Sequence, residues 1–188
     1  MPRLVLASRS PQRRAILEGL GVAFELRPTD VVEEDEGAPV AVAAENALRK
    51  AVAARAKPDE VVLGVDTIVV TELEIWGKPP NPDAARETLR HLRGRTHRVI
   101  SGVALVAEDG TVRAEQAVTD VTFRAFDDAE IEWYLASGEW EGRAGGYAIQ
   151  GRGGALVERI DGDYLNVVGL PVVTLLRLWP NLLGIERR

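Results

Sequence analysis

The order of apolar and polar positions along this chain switches repeatedly between the period of a strand and the period of a helix. Residues 3 to 7, RLVLA, form a compact apolar run that predicts a short buried strand. Ser10-Pro11 follows with an N-cap and a proline at the first helical position, opening a helix that Gly21 ends. From Pro39 to Ala56 an alanine-rich run repeats Val40, Ala44, Ala47, Leu48, Ala51 and Val52 at helical spacing. The stretch 61 to 71, VVLGVDTIVVT, is β-branched and almost continuously apolar, as a strand buried on both faces should be, and the carboxylate of Asp66 interrupts it. Asn81-Pro82 repeats the cap-and-proline logic for a helix running through Leu89 and Leu92 and closed by Gly94.

Between His97 and Phe126 two longer strands flank Asp109-Gly110, a dipeptide that favours a tight hairpin turn. Asp127 with Glu130 has the spacing of a capping box for a helix that ends at Gly138. A second hairpin is expected to turn near Asp161-Gly162, and a last helix is expected after Pro171. Strands alternating with helices at both ends, around a hairpin-rich middle, predict an α/β fold with a mixed, twisted sheet and flanking helices. No repeat, low-complexity tract or long linker divides the sequence, so residues 1–188 are expected to form a single domain.

Composition narrows the chemistry. The 188 residues are 46% hydrophobic and 28% charged, the profile of a soluble domain with a full core. The sequence has no cysteine, which excludes disulfides, zinc-thiolate sites and a thiol nucleophile and suits a reducing compartment. No apolar run approaches the roughly 20 residues needed to cross a bilayer, so a cytoplasmic location without membrane association is expected. A net charge of -6 argues against broad binding of nucleic acid polymers. A small anion remains admissible, because a local cluster of lysine and arginine in a cleft can oppose the sign of the whole molecule.

Several segments could form such a cluster. SRSPQRR, residues 8 to 14, leads two serines and three arginines into a helix N-terminus, although an ordinary Ser-Pro helix start with arginines in solvent gives the same pattern. Asp66 is costly to bury unless paired, hydrogen-bonded or metal-bound; ending the strand and capping a turn is the plainer alternative. The run Glu33, Glu34, Asp35, Glu36 reads mostly as a solvated loop from which one carboxylate could serve as a ligand. An oxygen-only pair of this kind suits Mg²⁺ or Mn²⁺. Lys50, taken alone, is an exposed helix charge, whereas Lys78 stands between Gly77 and Pro79, which fix its backbone. YAIQGRGG, residues 147 to 154, allows close backbone approach and offers the Gln150 amide to a base edge, or is simply a glycine-rich turn. His97 reads as a hydrogen-bonded strand residue.

In order and spacing, LASRSPQRR, LRKA around Lys50, GVDT at Asp66, GKP at Lys78, HRVISG, YAIQG and GDYLNVVGLP resemble the Maf family of nucleoside triphosphate pyrophosphatases over essentially the whole chain. The resemblance implies a fold like that of the inosine triphosphatase group, with two lobes around a deep cleft, and a homodimer as the common assembly. It implies that Asp66 is the proton acceptor, Glu33 an acidic site residue and, with Asp66, a ligand of a divalent metal. Ser8, Arg13, Lys50 and Lys78 match phosphate-handling groups. Gln12, Thr67 and Gln150 fall on positions associated with base choice. Thr67 and Gln150 look like the branch that prefers dTTP and UTP, while Gln12 departs from it, since that branch usually carries arginine there. The implied reaction is hydrolysis of the triphosphate to monophosphate and pyrophosphate, with housecleaning of modified nucleotides as a variant. A noncatalytic, nucleotide-sensing regulator of septum formation and cell division is the alternative.

Overall fold

The computed structural model describes residues 2–72 and 74–185. Its strands in chain order are β1 (Arg3–Leu6), β2 (Phe24–Leu26), β3 (Glu60–Thr71), β4 (Glu74–Trp76), β5 (Thr96–Ala107), β6 (Val112–Phe123) and β7 (Val157–Asp161). The helices are α1 (Pro11–Gly19), α2 (Pro39–Ala54), α3 (Pro82–Leu92), α4 (Asp128–Leu135), α5 (Tyr164–Val168) and α6 (Val172–Leu178). The strands form one 7-stranded mixed sheet in the order β2-β1-β3-β5-β6-β7, with β4 attached to β3. β1 pairs in parallel with β2 and β3, and the remaining pairings are antiparallel.

Local chemistry accounts for most boundaries. The Asn81 side chain accepts from the Ala84 N–H at 2.9 Å ahead of Pro82, and Asp127 and Glu130 close a reciprocal capping box at α4. Asp109-Gly110 turns the β5–β6 hairpin with Gly110 at φ 83°. No second hairpin forms at Asp161-Gly162. β7 instead returns antiparallel to β6, and the chain goes straight into α5, because Asp163 accepts from the Leu165 N–H at 2.8 Å and caps that helix. Asp-Gly supplies a positive φ wherever a sharp turn is needed, here with Gly162 at φ 129°, and leaves the type of the next element open.

Two bodies of core flank the long strands. On one half of the sheet, Leu4, Leu6, Leu17, Leu63 and Val103 pack under α1 and α6, while Val5, Ala47, Ala51 and Val62 pack under α2 on the opposite face. At the other half, Val69, Leu89, Phe123, Ile131 and Tyr134 join α3 and α4. The 12-residue strands β3 and β5 run through both halves, giving two lobes on one sheet.

The buried face of α2 is not the one that hydrophobicity selects. Val40 and Val52 are exposed, whereas Asn46 and Lys50 are buried beside Ala43, Ala47 and Ala51. The cause is close approach. A Cβ on Gly64 would lie 2.0 Å from the Ala47 carbonyl oxygen, and one on Gly102 would lie 2.2 Å from that of Ala43. The helix backbone therefore rests directly on the sheet, which only small residues on both sides permit.

His97 lies in the α3–α4 core, with Nε2 2.8 Å from the Tyr147 hydroxyl and its ring edge-on to Phe123 and Tyr147. Burial pushes this imidazole down from 6.5 to about 4. The unfolded chain thus takes up the proton first as pH falls. The stability His97 contributes is complete above about pH 6.5 and is lost between there and about pH 4, amounting to about 3 kcal/mol. Denaturant titrations at several pH values should show the stability gap between the native protein and His97→Gln narrowing by about that amount on acidification. A gap that does not move with pH would remove His97 from this role.

Candidate active site

The site opens where the sheet splits along one edge of β3. β1 covers that edge only as far as Leu6 opposite Leu63, and β4 takes it up again at Val69. Between them, Asp66 and Thr67 pair only with Gly102 and Ser101 of β5. A cleft of about 410 Å³ enters at this gap, beyond the carboxyl end of β1, the usual place for a ligand in an open α/β sheet. Asp66 is in the middle of β3 and not at its end, so it caps no turn.

Alternation along β3 sends neighbouring side chains to opposite faces of the sheet. Asp66 points toward α2, where Lys50 Nζ donates to Asp66 Oδ1 at 2.6 Å and to Glu33 Oε1 at 2.6 Å. The other Asp66 oxygen accepts from Asn46 Nδ2 at 3.2 Å. Asn46 cannot turn over freely, because Oδ1 accepts from the Glu34 N–H and Nδ2 donates to the Glu34 carbonyl, both at 2.8 Å. Those two bonds also fix the acidic loop. They leave Glu33 facing the cleft, while Glu34 turns away to Arg49. Lys78 reaches Glu33 Oε2 at 3.2 Å from the rim. Burial alone would raise the Glu33 carboxyl, but the hydrogen bonds and charges of Lys50 and Lys78 outweigh it and hold the group below its usual range.

Thr67 points toward α1 and α5. Arg13 spans this side with Nη1 on Ser8 Oγ at 3.0 Å, Nη2 on Thr67 Oγ1 at 3.2 Å and Nε on the Gly169 carbonyl at 2.9 Å. Burial pulls its guanidinium below the ordinary value, and the negative charges of Asp66 and Glu33 oppose that. Asn166 ties α5 to β5 and β6 by donating to the Val99 carbonyl and to Thr119 Oγ1, each at 3.0 Å. The segment 162–171 therefore anchors the partner of Arg13.

Farther along the cleft, Gln12 accepts from Ser10 Oγ at 3.0 Å, and among the described residues nothing bonds its NH₂. Gln150 is exposed on the wall, and no protein group among the described residues bonds its amide. Its loop is pinned on either side, by the Ala148 N–H on the Tyr134 hydroxyl at 3.0 Å and the Arg152 N–H on Glu139 at 2.7 Å.

Every position to which the family resemblance gives a role lines this one cleft: Ser8, Gln12, Arg13, Glu33 and Lys50, then Asp66, Thr67, Lys78 and Gln150. Two readings change. Lys50 is buried against carboxylates and is not a solvent-facing helix charge, and the Thr67 hydroxyl is committed to Arg13 and Ser101, the latter at 2.8 Å. Asn46 was missed. Its signal was present, since Ala43, Asn46, Ala47 and Lys50 repeat at helical spacing and place two polar groups on one packed face.

A profile of the family described as Maf-like protein matches residues 3–182. The chain belongs to the Maf family. Among Maf relatives, a dTTP/UTP pyrophosphatase of Bacillus cereus is 46% identical over 181 residues, covering 94% of this chain and 88% of the relative. A protein of the same name from Gloeobacter violaceus is 47% identical over 179 residues, covering 94% of each. Among solved structures, a HAM1 protein from Coxiella burnetii superposes with a TM-score of 0.49 at 17% identity, over 83% of this chain and 91% of that one. A nucleoside-triphosphatase, or dITP/XTP pyrophosphatase, from Mycobacterium abscessus gives 0.44 at 19% identity, over 64% and 74%.

The Maf cleft also bears on a divalent metal. Among the described residues there is no group of three or more His, Cys, Asp or Glu placed to hold one. Glu33 and Asp66, however, each set an oxygen 2.6 Å from the same ammonium, so two carboxylates converge on one small volume. That donor set suits Mg²⁺ or Mn²⁺, which use one or two carboxylates and take further ligands from phosphates and water.

Proposed function

We propose that this protein hydrolyses dTTP and UTP to the nucleoside monophosphate and pyrophosphate. The observation that carries the reading is the buried Asp66 carboxylate, held by Lys50 and Asn46 in a cleft otherwise rich in cations. Full-length similarity to dTTP/UTP pyrophosphatases supports the substrate class. A nucleotide sensor needs the cations but gives this carboxylate no task.

Each Asp66 oxygen accepts one protein hydrogen bond and keeps a lone pair, so it can take a proton from water. As that water bonds to the α-phosphorus, the α–β anhydride bond breaks and pyrophosphate leaves with the electron pair. Lys50, Lys78 and Arg13 supply positive charge along the phosphate chain, and Ser8 orients Arg13. A divalent cation on Glu33 and Asp66 would neutralise phosphate oxygens and help to orient the nucleophile. Nucleoside triphosphates are cytoplasmic metabolites, and we place the activity there, with a homodimer as the expected assembly.

At the base end, Gln150 presents a free amide that complements the O4 and N3–H edge of thymine or uracil. Gln12, with its oxygen held by Ser10, offers donors much as an arginine would. Thr67 acts through Arg13. The test is pyrophosphate release from dTTP, UTP, CTP and GTP with Mg²⁺, Mn²⁺ and EDTA. dTTP and UTP should lead, and Gln150→Glu should lower their kcat/KM by roughly tenfold or more, since it brings a charge and loses the donors. Absence of pyrophosphate release from every nucleotide would leave the sensor reading in its place.

A further inference from the structure

Among the described residues, pairing the charges that line the cleft leaves two cations without a carboxylate, Arg13 and Arg143. Lys50 is matched by Glu33 and Asp66, Lys78 by Glu33, and Arg9 by Asp30. Arg13 is enclosed and spends its donors on Ser8, Thr67 and Gly169. Arg143 also lines the cleft and is half-buried, yet among the described residues no carboxylate pairs with it and no hydrogen bond holds its side chain. A half-buried guanidinium in that state is poised for an anion that the protein itself does not provide.

Its backbone says which part of a nucleotide it serves. The Gly145 N–H donates to the Gly77 carbonyl at 3.1 Å, joining the turn after Arg143 to the segment that carries Lys78. Close packing locks the joint. A Cβ on Gly145 would lie 2.9 Å from a Val69 methyl, and one on Gly146 would lie 3.2 Å from Pro79. Both glycines have positive φ, 67° and 66°, so the turn holds a shape that other residues adopt with strain. Arg143 and Lys78 thus stand on two joined segments of the cleft wall, with Lys78 at the rim on Glu33 and Asp66 on the buried floor.

We propose that Arg143 is a substrate-binding residue that, with Lys78, grips the pyrophosphate end of the triphosphate. The two lysines largely offset the two carboxylates, so the charge available to a polyanion comes from Arg13 at the inner end and Arg143 at the rim. Arg143 can also bind two phosphate oxygens with the planar, fixed fork of its guanidinium, a geometry that a lysine ammonium lacks. The inference rests on the proposed function for the identity of the nucleotide, but its phosphate chemistry can be tested without turnover.

The test is calorimetric titration of the native protein, Arg143→Gln and Arg143→Lys with inorganic pyrophosphate and, separately, with dTMP, in the presence of Mg²⁺. Arg143→Gln should weaken pyrophosphate binding roughly tenfold to a hundredfold, with dTMP binding unchanged, and Arg143→Lys should recover most of the loss. Thermal midpoints report whether each variant is folded. If Arg143→Gln does not fold, the comparison passes to Arg143→Lys, which should lose severalfold for pyrophosphate alone. Equal pyrophosphate affinity in the native and variant proteins, no pyrophosphate binding by the native protein, or an equal loss for dTMP would each overturn the proposal. Because pyrophosphate has no base and is not turned over here, a selective loss alongside a failed dTTP and UTP assay would keep this site and discard the reaction.

Discussion

Asp66→Asn is expected to reduce kcat for dTTP by about a thousandfold, the range that general-base catalysis supplies. The amide has the volume of the carboxylate but neither takes the proton nor carries the charge. The structure adds a cost that side-chain size alone does not show. Asn46 is locked by two bonds to the Glu34 backbone and presents its NH₂ to Asp66 Oδ2, while Lys50 presents another donor to Oδ1. An amide can satisfy only one of them. Its own NH₂ must face a donor on the other side, and a buried mismatch of that kind costs about 1 to 3 kcal/mol. Urea unfolding should therefore show a folded but weaker variant, and steady-state kinetics at saturating dTTP should show the loss in kcat. A variant as active as the native protein would take the proton-acceptor role away from Asp66.

Asp66 is conspicuous in the sequence itself, because a carboxylate in VVLGVDTIVV breaks an apolar strand, and the strand spans Glu60–Thr71. The helix starts at Ser10-Pro11 and Asn81-Pro82 and the hairpin at Asp109-Gly110 are legible because each depends on residues within a few positions. β2 and β4 are not. Each has three residues and owes its existence to a neighbouring strand that lies far away in sequence or is shaped by the split along β3. The phase of α2 is hidden for a related reason. Its packing surface is set by Gly64 and Gly102 on other strands, so Ala43, Ala47 and Ala51 face the sheet while Val40 and Val52 face solvent. Hydrophobicity ranks valine above alanine for burial, but close approach reverses the order at these positions. With the phase goes Lys50, whose burial comes from a sheet that admits a helix backbone within contact distance.

Removing Lys50 is the sharper test of that geometry. Lys50→Met keeps the length and apolar stem of the side chain but deletes the ammonium between Glu33 Oε1 and Asp66 Oδ1. The Asp66 side chain is 6% exposed, so it would stay in place with Asn46 as its one remaining donor among the described residues. Breaking one partner of a buried ion pair typically costs about 3 to 5 kcal/mol, and a loss toward the lower end is expected because Glu33 is only partly enclosed. kcat/KM for dTTP should fall about a thousandfold, since the charge on the phosphates and the hold on the base are lost together. The double variant Lys50→Met, Asp66→Asn separates the two effects. Without the ammonium, the new amide can turn its oxygen to Asn46 Nδ2, and no buried charge remains. The double variant should thus be more stable than Lys50→Met alone by about 2 kcal/mol, although it is no more active. Strictly additive stability losses across this cycle would mean that Lys50 and Asp66 do not act as a buried pair, and the mutual placement of α2 and β3 would have to be drawn differently.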